Sequence, residues 1–214
     1  DNPRKALLTT IKEAVDNSLD ACEEAGILPD LEVRIDELVA PPSAQKPGRY
    51  RITITDNGPG IVRKQIENIF GRLLYGSKFH RLKMSRGQQG IGISAAGMYG
   101  LITTGKPVKI ISKTARKKPA HEVILKMDTS KNKADVVSDT EHPEDDALFP
   151  SGTGTRVEIE PVGDGPAVVN CHVVLLEGAG APVGAFAHSF HQRDRRLAGV
   201  DGELDRGGNR FQCR

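Results

Sequence analysis

Apolar side chains recur at every third or fourth position over the first 25 residues, which is the spacing of one face of an α-helix. Asn2 is a suitable N-cap, Pro3 suits the first helical position, and Gly26 suits the C-terminal end. The pattern therefore predicts a long helix with one buried face. That face is formed by Leu7, Ile11, Ala14, Val15, Ser18, Leu19 and Cys22.

Strict alternation of apolar and polar residues predicts half-buried strands at residues 31–39 and 49–56, joined by a loop. Further strands are predicted at residues 107–115, 121–128, 134–139 and 153–160, helices at 63–76 and about 91–101, and an acidic surface loop at 140–152. Helices with a run of strands indicate an α+β fold. We expect a two-layer sandwich in which a mixed, mostly antiparallel sheet packs against helices.

Composition excludes few functions. The 214 residues are 37% hydrophobic and 27% charged with a net charge of +2, so charge alone argues neither for nor against nucleic acid. The three cysteines form no metal or disulfide pattern, which favours a reducing compartment. The longest apolar stretch is too short to span a membrane, and no signal peptide opens the chain.

The composition changes after Glu160. Residues 161–214 contain no Lys, Ile or Thr and are rich in Gly, Ala, Val, Arg and His. We therefore divide the chain into a domain at residues 1–160, truncated at its N-terminus, and an atypical segment at 161–214. A flexible tail and a change of reading frame near Pro161 both explain the second segment.

The stretch "RGQQGIGISAAGMYG" (86–100) is the first candidate for chemistry, because it places a glycine cluster directly before a helical pattern. Glycine destabilises helices and strands by roughly 0.5–1 kcal/mol relative to alanine, so the cluster needs a reason. A loop whose N–H groups approach an anion at a helix N-terminus supplies one.

Three other stretches are ordinary when taken singly. Glu13 and Asn17 share one face of the first helix, as solvated residues often do. Asp56 ends a strand before the glycine turn "DNGPG", and "SGTGT" (151–155) leads into another strand. Their order along the chain is what carries information.

In that order, "EAVDNSLDA", "DNGPGI", "GQQGIGIS" and "SGTGT" resemble the N-box, the two glycine boxes and the Thr-Gly element of the GHKL (Bergerat-fold) ATPases. That superfamily includes type II topoisomerases, ninety-kilodalton heat-shock chaperones, MutL-type repair proteins and histidine kinases. "GRLLYGSKFHRLKMSRGQQGIGISAA" and "TTGKP" are similar to the B subunits of type IIB DNA topoisomerases. The resemblance covers about residues 1–160.

The resemblance implies ATP and Mg²⁺ as ligands. Glu13 would be the general base that orients water, and Asn17 would be the protein ligand of Mg²⁺. Asp56 would accept a hydrogen bond from the adenine amine, with Gly58 and Gly60 letting the backbone pass close to the ring. Thr153 or Thr155 would support the base; Thr155 is preferred because the strand begins there.

The phosphates would lie against the glycine loop and the following helix start, which we expect to order as a lid when ATP is present. The implied phosphate-contacting residues are Ser77, Lys78, Gly87, Gln88, Gln89, Gly90, Ile91, Gly92, Ile93 and Ser94. For Lys78 the alternative is a solvated surface lysine, and Arg86 is better explained as a loop brace.

The function implied is the ATP-driven clamp of a type IIB topoisomerase, in a cytoplasmic, nucleoid-associated enzyme or a nuclear one in a eukaryote. Its partners would be the cleavage (A) subunit, double-stranded DNA and a second copy of the ATPase subunit, with no membrane. Alternatives are a histidine-kinase catalytic domain, a MutL-like repair ATPase and an inactive truncated relic. Because family segments are missing at both ends, we expect the fragment to bind ATP·Mg²⁺ weakly and to hydrolyse it slowly or not at all.

Overall fold

The computed structural model describes residues 3–43, 46–73, 92–142, 147–163, 168–174 and 210–213. The elements in chain order are α1 (Pro3–Ala25), β1 (Asp30–Val39), β2 (Gly48–Asp56), α2 (Arg63–Gly71), α3 (Gly92–Thr104), β3 (Val108–Lys113), β4 (Ala120–Asp128), β5 (Lys133–His142), β6 (Gly154–Ile159), β7 (Val162–Gly163), β8 (Val168–Val174) and β9 (Arg210–Cys213).

The strands form one sheet in the order β5-β4-β3-β6-β2-β1-β8-β9, with β7 paired to β2. Every pairing among the described strands is antiparallel. Alternate residues of β1, β2, β3, β4 and β6 pack with one stripe of each helix in a single apolar core. The predicted α+β sandwich with a mostly antiparallel sheet is confirmed.

The first helix is built as its sequence predicts. It begins at Pro3 and ends at Ala25, and Gly26 follows with a positive φ of 66°. The N–H of Gly26 donates to the Glu23 carbonyl and that of Ile27 to the Cys22 carbonyl, which satisfies the last turn. Leu7, Ile11 and Leu19 are buried, as the periodicity predicts.

The helix predicted at residues 63–76 is shorter than expected. It ends at Gly71, and Arg72 is extended, with φ −132° and ψ 136°. Gly71 lies so close to Ala134 of β5 that any Cβ would overlap it, which explains why the last residue of α2 is a glycine. The next helix runs further than predicted, to Thr104, where Gly105 with φ 71° ends it.

The prediction of an acidic surface loop at residues 140–152 is partly wrong. Strand β5 continues to His142. Phe149 is only 1% exposed and packs with Ile111 and Ala120 in a second, smaller core. The buried side chain of Phe149 therefore anchors a segment that its charged residues predicted to be exposed to solvent.

Three of the strands that the structure describes follow residue 160. β7 pairs with β2, β8 with β1, and β9 with β8. The division of the chain into segments 1–160 and 161–214 stays a prediction. Among the helices that the structure describes, none is long and apolar enough to cross a membrane.

Candidate functional site

Asp56 is the point at which three elements meet. It is the last residue of β2, and only 7% of it is exposed. Its Oδ2 accepts a hydrogen bond of 2.9 Å from the Ser18 hydroxyl of α1. Its Oδ1 accepts from the N–H of Gly58 at 3.0 Å and from the N–H of Thr155 in β6 at 3.1 Å. The carboxylate is thereby held in one orientation.

Burial raises the pKa of Asp56 above its usual value, and the hydrogen bonds from Ser18, Gly58 and Thr155 oppose that rise. A carboxylate has about four acceptor positions. The three donors occupy two on Oδ1 and one on Oδ2. Oδ2 therefore keeps capacity for one further donor, such as the amine of a bound ligand.

Glycines make room beside this carboxylate. A Cβ on Gly58 would lie 3.0 Å from Asp56 Oδ1 and 3.3 Å from the Cys22 sulfur. Gly60 has a positive φ of 72°, and a Cβ there would overlap the Lys113 carbonyl. Burial raises the pKa of the Cys22 thiol to about 12, so this thiol is neutral beside the Asp56 carboxylate.

A second set of side chains lies on the exposed side of α1. Glu13 is half-buried and Asn17 is exposed one turn later. The Asn17 Nδ2 donates to the Glu13 carbonyl oxygen at 2.6 Å, so the amide oxygen is the atom left to meet a ligand. Gly92, the first residue of α3, lies against Glu13, because any Cβ there would overlap the Glu13 carboxylate.

Comparison with known proteins matches residues 2–162 to the family described as histidine kinase-, DNA gyrase B-, and HSP90-like ATPase. The chain belongs to this ATPase family. The resemblance inferred from the motifs is therefore confirmed, and the name of the family supports ATP as the ligand.

Curated relatives of this ATPase-family chain are named as the B subunit of type 2 DNA topoisomerase 6. The protein from Archaeoglobus fulgidus is 51% identical over 163 residues, which is 76% of this chain and 25% of the relative. That from Methanosarcina acetivorans is 50% identical over 75% of this chain and 24% of its own length. That from Methanosarcina barkeri is 45% identical over 84% and 30%, respectively. The chain thus spans about a quarter of the length of the relatives it matches.

The structure of this ATPase-family chain describes only some of the predicted site residues. Glu13, Asn17, Asp56, Gly58 and Thr155 line the two parts of the site described above. Thr155 donates its backbone N–H to Asp56, whereas the predicted role was for the hydroxyl of Thr153 or Thr155. The predicted phosphate-contacting residues Ser77, Lys78, Gly87, Gln88, Gln89, Gly90 and Ile91 lie outside the described residues.

Two predicted residues of α3 have side chains that are too deeply buried to contact a ligand. Ile93 is 6% exposed and belongs to the main core, and Ser94 is fully buried. Because they fall in the first turn of α3, their backbone N–H groups are the atoms that face its N-terminal end. Any contact they make with an anion is a backbone contact.

Sequence reasoning misses three polar residues of this region. The periodicity assigns Ser18 only to the buried face of α1, yet a hydroxyl in an apolar stripe needs a partner, and that need is the available signal. Asn57 accepts from the Asp30 N–H at 2.9 Å and donates to the Leu28 carbonyl at 3.0 Å, which fixes the α1–β1 connection. Ser112 carries no signal, because serine in a strand is common.

Proposed function

We propose that this chain is the ATP-binding and ATP-hydrolysing module of the B subunit of a type IIB DNA topoisomerase. The observation that carries the proposal is the convergence on Asp56 of the N-box helix, the first glycine turn and the Thr-Gly strand. Residues far apart in sequence, Ser18, Gly58 and Thr155, all donate to one buried carboxylate. An adenine pocket needs such an oriented acceptor.

In this function Oδ2 of Asp56 accepts a hydrogen bond from the 6-amino group of adenine. The N–H groups on Oδ1 and the Ser18 hydroxyl hold the carboxylate plane while the base enters. Because Gly58 has no side chain, its backbone can lie close to Asp56, where a Cβ would come within 3.0 Å of Oδ1. A guanine, which carries a carbonyl at the same position, would place an acceptor against this acceptor and bind less well.

The residues present also suit a bound magnesium ion. Mg²⁺ takes few protein ligands and keeps phosphate and water oxygens around it. The exposed amide oxygen of Asn17 supplies one ligand, since the amide nitrogen is already bonded to Glu13. When bound, Mg²⁺ neutralises charge on the phosphates.

Glu13 is the general base of the proposed reaction. Its half-buried carboxylate lies one helical turn from Asn17 and against the first residue of α3. It orients a water molecule and accepts its proton as the terminal phosphate is cleaved. The N-terminal end of α3 contributes its positive dipole at the same place.

At the level of the whole enzyme we propose that this module drives the passage of one DNA duplex through another. Its partners would be a cleavage subunit, double-stranded DNA and a second copy of the ATPase subunit, in a nucleoid-associated complex. The names of the relatives, which call them subunits of a type 2 DNA topoisomerase, support this assignment.

The test is calorimetric titration of the chain with ATP and Mg²⁺, alongside Asp56→Asn. We expect measurable ATP binding, and a loss of at least about tenfold in affinity in the variant, because an amide replaces one charged acceptor. Asp36→Asn, on β1, is the matched control and should bind as the wild type does. Equal affinity in wild type and Asp56→Asn would overturn the adenine role.

A further inference from the structure

Ser112 is a buried hydroxyl that the proposed chemistry does not use. It lies on β3 and is 1% exposed. Its Oγ accepts a hydrogen bond of 2.7 Å from the N–H of Ile61, the residue that follows the glycine turn. This is a direct bond between the turn and the middle of the sheet, across 51 residues of sequence.

The hydroxyl hydrogen of Ser112 has two acceptors within reach. The Gly154 carbonyl is 3.3 Å from Ser112 Oγ, and the Thr155 hydroxyl oxygen is 3.4 Å away. Both belong to the start of β6, where the Thr155 N–H holds Asp56. Ser112 therefore touches both backbone segments that donate to the Asp56 carboxylate.

The turn beside Ser112 is held at its start by the hydrogen bonds of Asn57 to Asp30 and Leu28, and at its end by Ser112. Between them Gly60 packs directly on the Lys113 carbonyl, with a positive φ that glycine adopts without strain. The bond from Ile61 to Ser112 sets the end of the turn, and Gly58 at its start donates to Asp56. A shift of the turn would therefore move one of the donors that orient Asp56.

We propose that Ser112 is a positioning residue for adenine recognition: its hydroxyl locks the 58–61 turn and the start of β6 around Asp56. The inference rests on the proposed function, and it assigns base specificity to a side chain that need not touch the base. Without the hydroxyl the pocket would still bind a nucleotide, but it would read the 6-amino group less sharply.

The experiment compares the affinities for ATP and for purine riboside triphosphate, which lacks the 6-amino group, each with Mg²⁺. The ratio of the two affinities measures recognition of the 6-amino group alone, because both nucleotides carry the same ribose and phosphates. We expect the wild type to favour ATP by about tenfold or more, and Ser112→Ala to lower that ratio by about fivefold. Asp56→Asn should lower it at least as far.

Ser138→Ala is the matched control, because it makes the same change at a half-buried position on β5. It should leave the ratio unchanged. If Ser112→Ala fails to fold, Ser112→Cys makes the same test, because a thiol fills the space but accepts hydrogen bonds weakly. A purely structural role would lower the melting temperature or weaken both nucleotides equally.

The outcomes separate the two proposals. If the wild type binds ATP and purine riboside triphosphate about equally, it does not recognise the 6-amino group, and the proposed function is rejected. A wild-type preference for ATP that survives intact in a folded Ser112→Ala or Ser112→Cys protein would overturn the role of Ser112 alone. A reduced ratio in the Ser112 variants, with Ser138→Ala unchanged, supports it.

Discussion

At Asp56 the molecule keeps a carboxyl group away from water and then surrounds it with donors. Burial favours the neutral acid, whereas the donated hydrogen bonds favour the carboxylate. The pKa of Asp56 is raised, with burial as its largest cause, so desolvation outweighs the donors. The site therefore holds a group whose charge costs stability in the fold.

That imbalance predicts how stability depends on pH. A carboxyl whose pKa is higher in the folded than in the unfolded chain stabilises the fold at pH values below its unfolded pKa. This contribution is lost as the pH rises through the folded pKa. Relative to Asp56→Asn, which cannot titrate, the wild type should become progressively less stable from about pH 4 upward.

Thermal melts of both proteins from about pH 4 to about pH 8 measure this difference. Subtracting the melting temperature of the variant from that of the wild type at each pH removes the effect of all other titrating groups, which the two proteins share. A difference in melting temperature that stays constant, or that grows in favour of the wild type with rising pH, would contradict the assigned direction.

At the residue scale the sequence predicts candidate site residues better than it predicts the residues that contact them. Glu13, Asn17 and Asp56 are predicted as site residues because each occurs in a motif with recognisable spacing. Ser18 and Ser112 belong to the same region but are not recognisable as site residues. Their roles depend on which strand ends and helix turns meet in space, and that meeting is set by strand pairing across the whole chain.

At the scale of elements, α3 shows how glycines with the same local propensity meet different surroundings. A Cβ on Gly97 would make ordinary contacts of 3.6–3.9 Å with Val108. A Cβ on Gly100 would come within 2.9 Å of the Ile159 side chain. At Gly92 it would overlap the Glu13 carboxylate, which is the far end of a flexible side chain. Packing, and not helix propensity, decides what each position tolerates.

Gly92→Ala should therefore separate stability from activity. The Glu13 carboxylate can swing aside at little cost, so the free energy of unfolding should stay within about 1 kcal/mol of the wild type. With the proposed role of Glu13, displacement of its carboxylate should slow ATP hydrolysis at least about tenfold. Thermal melts and single-turnover hydrolysis, with the chain in excess over ATP, measure the two effects.

Gly97→Ala on the same helix is the control for that experiment. Its new methyl group fits, and alanine is the better helix former, so it should stabilise the chain by roughly 0.5–1 kcal/mol and leave hydrolysis unchanged. Unaltered hydrolysis in a folded Gly92→Ala protein would show that the position of Glu13 at the start of α3 is irrelevant to the reaction.

Element boundaries are the weaker part of the sequence prediction, and the reason is tertiary. The apolar spacing of α2 continues past Gly71, but the helix ends there, and the Leu73 N–H donates to Asn132 Oδ1 at 2.8 Å instead of to a helical carbonyl. Strand β5 continues to His142 because β4 offers it partners as far as Ala120. By contrast α1, with Pro3 at its start and Gly26 at its end, carries its own boundary signals and is predicted closely.

At the scale of the whole molecule, two apolar cores lie among the described elements. The main one joins the three helices to the sheet. The smaller one, around Phe149, Ile111 and Ala120, ties the 147–153 segment to β3 and β4. Phe149 also lies directly against Gly154, one residue before Thr155. The smaller core thus supports the strand that donates to Asp56.

Phe149→Ala should consequently destabilise the chain more than its place in an acidic segment suggests. Removing a buried phenyl ring leaves a cavity and typically costs about 3–5 kcal/mol. Urea unfolding measures the loss. Leu148→Ala, at a less buried neighbour, is the control and should cost clearly less. A loss below about 1 kcal/mol for Phe149→Ala would mean that the smaller core contributes little.

Helix α3 is attached to different parts of the molecule at its two ends. Its first residue abuts Glu13. Near its last turn, the Thr104 hydroxyl donates to the Glu160 carbonyl at 2.6 Å and the Tyr99 hydroxyl to the Val162 carbonyl at 2.9 Å. Thirteen residues of helix span about 20 Å. Because a helix is stiff, a tilt at one end of α3 also moves the other end, so the Glu13 carboxylate and the backbone just beyond β6 are mechanically coupled through this helix.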